Sequence, residues 1–266
     1  MVKKVLVVLF ATLLSACAST YQSKVGAAHT AYNRGDYTQA LEIINKVSPA
    51  PRDKLLYLLD KGMILHAAGQ YEESNKVLTE AEEISSQHAV KSATREVAGT
   101  LWSEEAITYS GDKHERATIP VLRMLNYIML GDWDGALVEV RHTRYFAEKV
   151  YGNPKEFDNA FSLYLSAVIW ETLGHINDAL IDYKQIADTK RNLLPVNGQL
   201  IVILETGVSP HYIADEITTG YFSVSVPVLV GGESRVDFAD VKIDGKPAGK
   251  TYSFYNISED IFDALK

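Results

Sequence analysis

Apolar positions in the first two thirds of the chain recur at helical spacing and are interrupted by glycines in a fixed setting. Ala31-Tyr32-Asn33-Arg34-Gly35-Asp36-Tyr37-Thr38-Gln39-Ala40 returns in form as Leu65-His66-Ala67-Ala68-Gly69-Gln70-Tyr71-Glu72-Glu73-Ser74, with 34 residues between the glycines. Met129-Leu130-Gly131-Asp132-Trp133-Asp134-Gly135-Ala136 and Thr172-Leu173-Gly174-His175-Ile176-Asn177-Asp178-Ala179 follow, at separations of 62 and then 43 residues. Each copy runs an apolar helix into a glycine, where a left-handed turn costs little, and the aromatic or Ile two residues on packs back over the turn. A small residue three further on (Ala40, Ser74, Ala136, Ala179) lets two helices approach closely. Leu41, Ile44 and Val47, or Leu78 and Ala81, then continue a second helix, and Pro49 and Pro51 break the chain before the next pair.

A 34-residue period is that of tetratricopeptide repeats. The unequal spacings make the array tetratricopeptide-like with insertions, and we place it at residues 25–192. By resemblance to tetratricopeptide groove positions, the first helices of the pairs would present His29, Tyr32 and Asn33, then Leu59, Met63 and His66, then Tyr164, to a partner. Aromatic and Met side chains suit the centre of a binding surface, and they suit inter-repeat packing equally.

The pattern changes after Leu193-Leu194-Pro195. Gly198-Gln199-Leu200-Ile201-Val202-Ile203-Leu204-Glu205 is apolar and β-branched, which suits a buried strand. Tyr221 to Val228 alternates as a second strand, with Pro227 placing it at an edge. Asp244-Gly245 within Val241 to Ala248 signals a hairpin turn, and the chain stops at Lys266 in an expected helix. The fold class expected is therefore mainly α: helical-pair repeats followed by a small β or α+β module over residues 193–266.

The N-terminus has its own pattern. Lys3 and Lys4 precede an apolar stretch from Val5 to Leu14, and small residues follow, as in a cleaved export signal. The ten residues from Val5 to Leu14, all apolar but Thr12, make roughly 15 Å of helix, short of the ~30 Å hydrocarbon core. Leu14-Ser15-Ala16-Cys17 resembles the lipobox of bacterial lipoproteins, and Cys17 is the sole cysteine, with no disulfide to make. The resemblance implies a leader at 1–16, acyl chains on Cys17 and a lipidated tether at 17–24. Ala18 after the cysteine implies, by the same resemblance, the outer membrane, with the folded part in the periplasm.

Formal charge is −8, and loss of Lys3 and Lys4 with the leader leaves 24 basic against 34 acidic residues, a net −10. An acidic surface repels phosphate backbones, so nucleic acid is not an expected partner. The seven histidines include no His-x-x-x-His pair and the lone cysteine no partner thiol, so no metal or cofactor is expected. Neither a Gly-x-Ser-x-Gly elbow nor a phosphate loop nor a dinucleotide fingerprint is present. Glu104, Glu105 and Glu115 could supply two carboxylates for glycan hydrolysis, but they read more simply as a solvated helical face.

Between the second and third copies, Tyr109-Ser110-Gly111-Asp112-Lys113-His114-Glu115-Arg116, then Leu125-Asn126-Tyr127-Ile128-Met129-Leu130-Gly131-Asp132 and Ala136-Leu137-Val138-Glu139-Val140-Arg141, resemble an uncharacterised family of tetratricopeptide-repeat-containing bacterial lipoproteins. Tyr109, Gly111, Glu115, Arg116, Asn126, Tyr127, Glu139 and Arg141 fit that pattern, whereas Asp112, His114 and His142 depart from it. The resemblance implies no reaction. It supports an expectation of a non-enzymatic, lipid-anchored adaptor that binds another cell-envelope protein. An enzyme acting on peptidoglycan, or a tether that binds wall glycan, are the alternatives.

Overall fold

The computed structural model describes residues 21–98, 111, 113–146, 160–189, 201–205, 211–219, 222–230 and 238–251. Cys17, Tyr109, Glu104, Glu105, residues 198–200, Tyr221 and the expected C-terminal helix lie outside them. The chain divides into two compact units, Met1–Thr143 and Arg144–Lys266.

The first unit is built from helices α1 (Tyr21–Asn33), α2 (Tyr37–Ile44), α3 (Lys54–Ala67), α4 (Tyr71–Ala98), α5 (Lys113–Leu130) and α6 (Trp133–Phe146), whose last three residues belong to the second unit, with a 3₁₀ turn at Pro51–Asp53 before α3. Helix α1 starts at Tyr21, inside the stretch read as a tether. The expected helix pairs are present: α1 with α2, α3 with α4, and α5 with α6, each closed over its glycine.

Every turn uses the same hydrogen bonds. The glycine has φ between 71° and 81° and its N–H bonds three residues back: Gly35 to Tyr32, Gly69 to His66, Gly131 to Ile128 and, in the second unit, Gly174 to Glu171. The N–H of the following residue bonds five back: Asp36 to Ala31, Gln70 to Leu65, Asp132 to Tyr127 and His175 to Trp170. This is the Schellman closure, which satisfies carbonyls that the helix end leaves open. That same following residue then begins the next helix, its carbonyl accepting from Ala40, Ser74, Ala136 or Ala179. Asp36 and Asp132 add a side-chain cap, accepting from the N–H of Gln39 at 3.0 Å and of Gly135 at 2.9 Å.

Packing explains the small residues. Ala40, Ser74, Ala136 and Ala179 are all buried, and so are Ala28, Gly62 and Ala167, each seven residues before a turn glycine. One apolar cluster joins Ala28, Ile44, Leu55, Leu58, Leu78 and Ile119 across the first unit. Burying a side chain of the size of Leu or Ile stabilises by about 1.5–3 kcal/mol, so this cluster dominates the energetics of the repeats.

The second unit contains the fourth pair, α7 (Ala160–Thr172) with α8 (Ile176–Thr189), and four strands. Strand β1 (His211–Thr219) pairs antiparallel with β2 (Phe222–Val230), in register from His211 opposite Val230 to Thr219 opposite Phe222. Pro227 lies in β2 opposite Ala214, and a two-stranded sheet has an open edge on each strand, which is where a strand proline is tolerated. Strands β3 (Asp240–Ile243) and β4 (Lys246–Lys250) form the expected hairpin. Asp244 and Gly245 both take positive φ, 50° and 75°, as a two-residue turn of this hand requires.

One expectation is corrected. Ile201 to Glu205 carry no strand, and Ile201 and Val202 are 44 % and 47 % exposed. An apolar β-branched run favours an extended backbone, but a strand also needs a ladder partner, and among the described residues β1 and β2 pair with each other instead.

Candidate functional site

A chain of polar groups, buried at His66, Ser74, Asn75, Arg123, Asn126 and Glu139 and more open at Thr79, Glu82 and His142, runs through the second and third helix pairs. On α5, the Asn126 amide donates both N–H groups, to Ser74 Oγ at 3.0 Å and Asn75 Oδ1 at 2.8 Å. Its Oδ1 is therefore the acceptor toward His66 Nδ1 at 2.6 Å, which places the His66 proton on Nδ1. Ser74 passes the link on by donating to the Gly62 carbonyl at 2.8 Å, and Thr79 donates to the Asn75 carbonyl at 2.8 Å. Arg123, one turn before Asn126, donates to Thr79 Oγ1 at 3.1 Å and places Nη2 2.8 Å from both Glu82 Oε2 and Glu139 Oε2. His142 closes the chain, with Nε2 3.1 Å from Glu82 Oε1 and Nδ1 3.1 Å from Arg123 Nη2.

The electrostatics follow from burial. Arg123 is 5 % exposed, and its charge is held out of water only because two carboxylates face it. His142 is held above the ordinary imidazole value, first by its hydrogen bond with Glu139 and then by the charges of Glu82 and Glu139, against burial and Arg123. Arg123 on α5 meets one oxygen of Glu82 on α4 and one of Glu139 on α6, so the cluster joins three helices. No group of three metal-ligating side chains is found among the described residues.

A second cluster joins the first and second pairs. Asp60 on α3 accepts from the Tyr21 hydroxyl at 2.5 Å and faces His29 Nε2 at 3.1 Å, both on α1. Burial, then Asp60, pushes the Tyr21 phenol far above its ordinary range, and the Asp60 hydrogen bond raises His29 despite burial. Tyr32, Leu59 and Met63 are half-buried and pack on the apolar core; Asn33 is exposed. His66, at 8 % exposure and bound to Asn126, is an internal link.

In the second unit Tyr164 is half-buried, its ring centroid 6.3 Å from that of Tyr183, and burial followed by the charge of Glu171 raises its phenol. Asp182 accepts from Ser166 Oγ at 2.5 Å and pairs with Arg144, yet burial outweighs both partners and raises its carboxyl.

The residues of the family-like segment find structural places. Gly111 has φ 82°, and a Cβ there would lie 3.1 Å from Arg116 Cγ and 3.4 Å from Leu55 Cδ2. Glu115 stands in the first turn of α5, where a carboxylate suits the helix dipole. Tyr127 lies across Gly135, Asn126 and Glu139 belong to the polar chain, and Arg141 is exposed. Arg123, Glu82 and Asp60 escape sequence reasoning, because their partners lie 16 to 41 positions away and no local spacing marks them.

No family model and no curated protein matches the sequence. Among solved structures, one described as MamA AMB-1 is similar at a TM-score of 0.41 and 15% identity, over 64% of this chain and 72% of that one. Similarity this loose goes no further than general form. The tetratricopeptide-like character rests on the four closed helix pairs themselves. Among the described residues no helix is long and apolar enough to cross a membrane.

Proposed function

We propose that the chain is a lipid-anchored adaptor of the bacterial envelope, one of the tetratricopeptide-containing lipoproteins its central motif resembles. Its helix pairs hold another envelope protein. The observation that carries this reading is the use of the buried charged groups: Arg123, Glu139 and Asp182, with half-buried Glu82, all serve to join helices. Half-exposed Tyr32, Leu59 and Met63 remain on the first helices of the first two pairs, a surface suited to an extended peptide or a helix. The sequence Leu14-Ser15-Ala16-Cys17 supports the anchor, and Ala18 supports the outer membrane, facing the periplasm.

A photo-crosslinking residue at Met63 in intact cells tests the reading. It should capture one envelope protein that the same residue at Lys46 does not, and Tyr32→Ala with Leu59→Ala should reduce the capture while the helical spectrum is retained. Equal capture at both positions, or full capture by the double variant, removes this face as the docking site. Release of soluble fragments from purified cell-wall sacculi would instead point to an enzyme.

A further inference from the structure

Two histidines stand at the two junctions between successive helix pairs of the first unit. His29 of α1 faces Asp60 of α3, with Nε2 3.1 Å from Oδ2, and so joins the first pair to the second. His142 of α6 faces Glu82 of α4, with Nε2 3.1 Å from Oε1, and joins the second pair to the third. We propose that the first unit is a scaffold stiffened by protons, in which His29 and His142, when charged, draw the successive helix pairs together.

The groups around each ring decide the sign. His142 meets Glu82 from α4, Arg123 from α5 and Glu139 from its own helix. With the ring neutral, Nε2–H donates to Glu82 and the Nδ1 lone pair faces Arg123 Nη2 at 3.1 Å, whose two N–H groups point to Glu82 and Glu139; the cluster of one arginine and two carboxylates then has net charge −1. A proton added at Nδ1 turns that nitrogen into a donor whose nearest carboxylate is Glu139 Oε2 at 3.5 Å, and the attraction of Glu82 and Glu139 offsets the repulsion from Arg123. The cluster becomes neutral, and the ring then bridges carboxylates on α4 and α6. His29 meets Asp60 from α3, and on its own helix the Tyr21 hydroxyl donates to the same carboxylate. Its cation turns a hydrogen bond into a charge-assisted one.

Both rings titrate above the ordinary imidazole value, His29 chiefly through Asp60 and His142 chiefly through Glu139. For a group raised on folding, the added stability is complete below the unfolded value near 6.5 and is lost as pH rises through the higher folded value. Mild acid therefore tightens both junctions and alkali loosens them. Tyr32 lies on α1 and Met63 on α3, so their relative placement follows the His29 junction. This inference concerns the fold alone and stands apart from the anchor and from the partner.

The test is a titration of the full chain in detergent, following the histidine ring protons by NMR and backbone amide exchange in α3 and α4 at about pH 5.5 and about pH 8, on either side of the histidine range. Both rings should show midpoints above the ordinary value. Exchange, corrected for its intrinsic pH dependence, should be several-fold more protected in acid at both junctions. His29→Gln should remove the acid effect at α1–α3 alone, and His142→Gln at α4–α6 alone. Midpoints at or below the ordinary value, or an acid effect that survives in both variants, overturn the proposal. Should either variant lose its helical spectrum, the wild-type midpoints and exchange decide the matter without it.

Discussion

Leu78 occupies the space that a side chain on Gly62 would need: its Cδ2 and Cγ lie 2.6 Å and 2.8 Å from the position of a Cβ there. Leu78 is fully buried, so it has little room to yield. Gly62→Ala should destabilise the protein by about 1–3 kcal/mol through overpacking, although alanine favours helix more than glycine does. Denaturant midpoints measure this, and Leu78→Val in the same chain should recover part of the loss. A more stable Gly62→Ala protein would show that α3 and α4 are not so close.

Ala136 provides the same test in the third pair. It is fully buried, and its N–H bonds the Asp132 carbonyl at the start of α6. Ala136→Leu should cost about 1–3 kcal/mol, read as a lower thermal midpoint. An unchanged midpoint would show that the register of this helix pair is wrong.

The charged cluster predicts a contrast between two cations. Arg123→Met leaves Glu82 and Glu139 facing each other inside the protein, and loss of one partner from a buried ion pair costs about 3–5 kcal/mol. Lys54 also pairs with a carboxylate, Glu80 at 3.0 Å, but both are solvent-accessible. Lys54→Met should change stability by no more than about 1 kcal/mol. Similar losses in the two variants, measured by chemical unfolding, would remove the special role given to Arg123.

Tyr21 sets an alkaline limit. Burial and Asp60 hold its phenol far above the ordinary value of 10.0 in the folded protein, whereas in the unfolded chain it ionises near that value. The group is raised on folding, so its contribution is present below about pH 10 and is lost as pH rises beyond it. Tyr21→Phe should be less stable at neutral pH by about 0.5–1.5 kcal/mol, and should lose less stability between about pH 9 and pH 11. Parallel pH profiles for the two proteins would contradict the Tyr21–Asp60 bond.

Cys17→Ser tests the anchor. In cells it should abolish incorporation of labelled fatty acid and leave a soluble or uncleaved form. Continued labelling, with fractionation in the outer membrane, would show that Cys17 is not the modified residue.

The turns were legible in the sequence because their determinants are local: a glycine, the residue after it and a small residue four further on complete one set of hydrogen bonds within about ten positions. The Asp244-Gly245 hairpin was legible for the same reason. The polar chain was not, since Arg123 meets Glu82 and Asn126 meets His66 across 41 and 60 positions. His66 also shows why groove positions are hard to read. A half-polar ring on the first helix of a pair fits an open surface or a buried bond equally well, and only the presence of Asn126 opposite decides. Strand β1 escaped notice because His211-Tyr212-Ile213-Ala214-Asp215-Glu216-Ile217-Thr218-Thr219 alternates weakly and carries two adjacent carboxylates. The more apolar Ile201 to Leu204 drew the expectation instead.

The buried polar chain also makes the order of the helix pairs a property of the fold. In a regular solenoid any repeat fits against any other, and arrays lengthen by copying one unit. Here Asn126 needs Ser74, Asn75 and His66 on the preceding pair, and Arg123 needs Glu82 there. A duplicated or transposed pair would set these groups against side chains unable to answer them, at about 1–3 kcal/mol for each buried donor or acceptor left unmet. The first unit is thus closed to growth by repetition: its three pairs are keyed to one sequence of neighbours, and new length has to enter outside them.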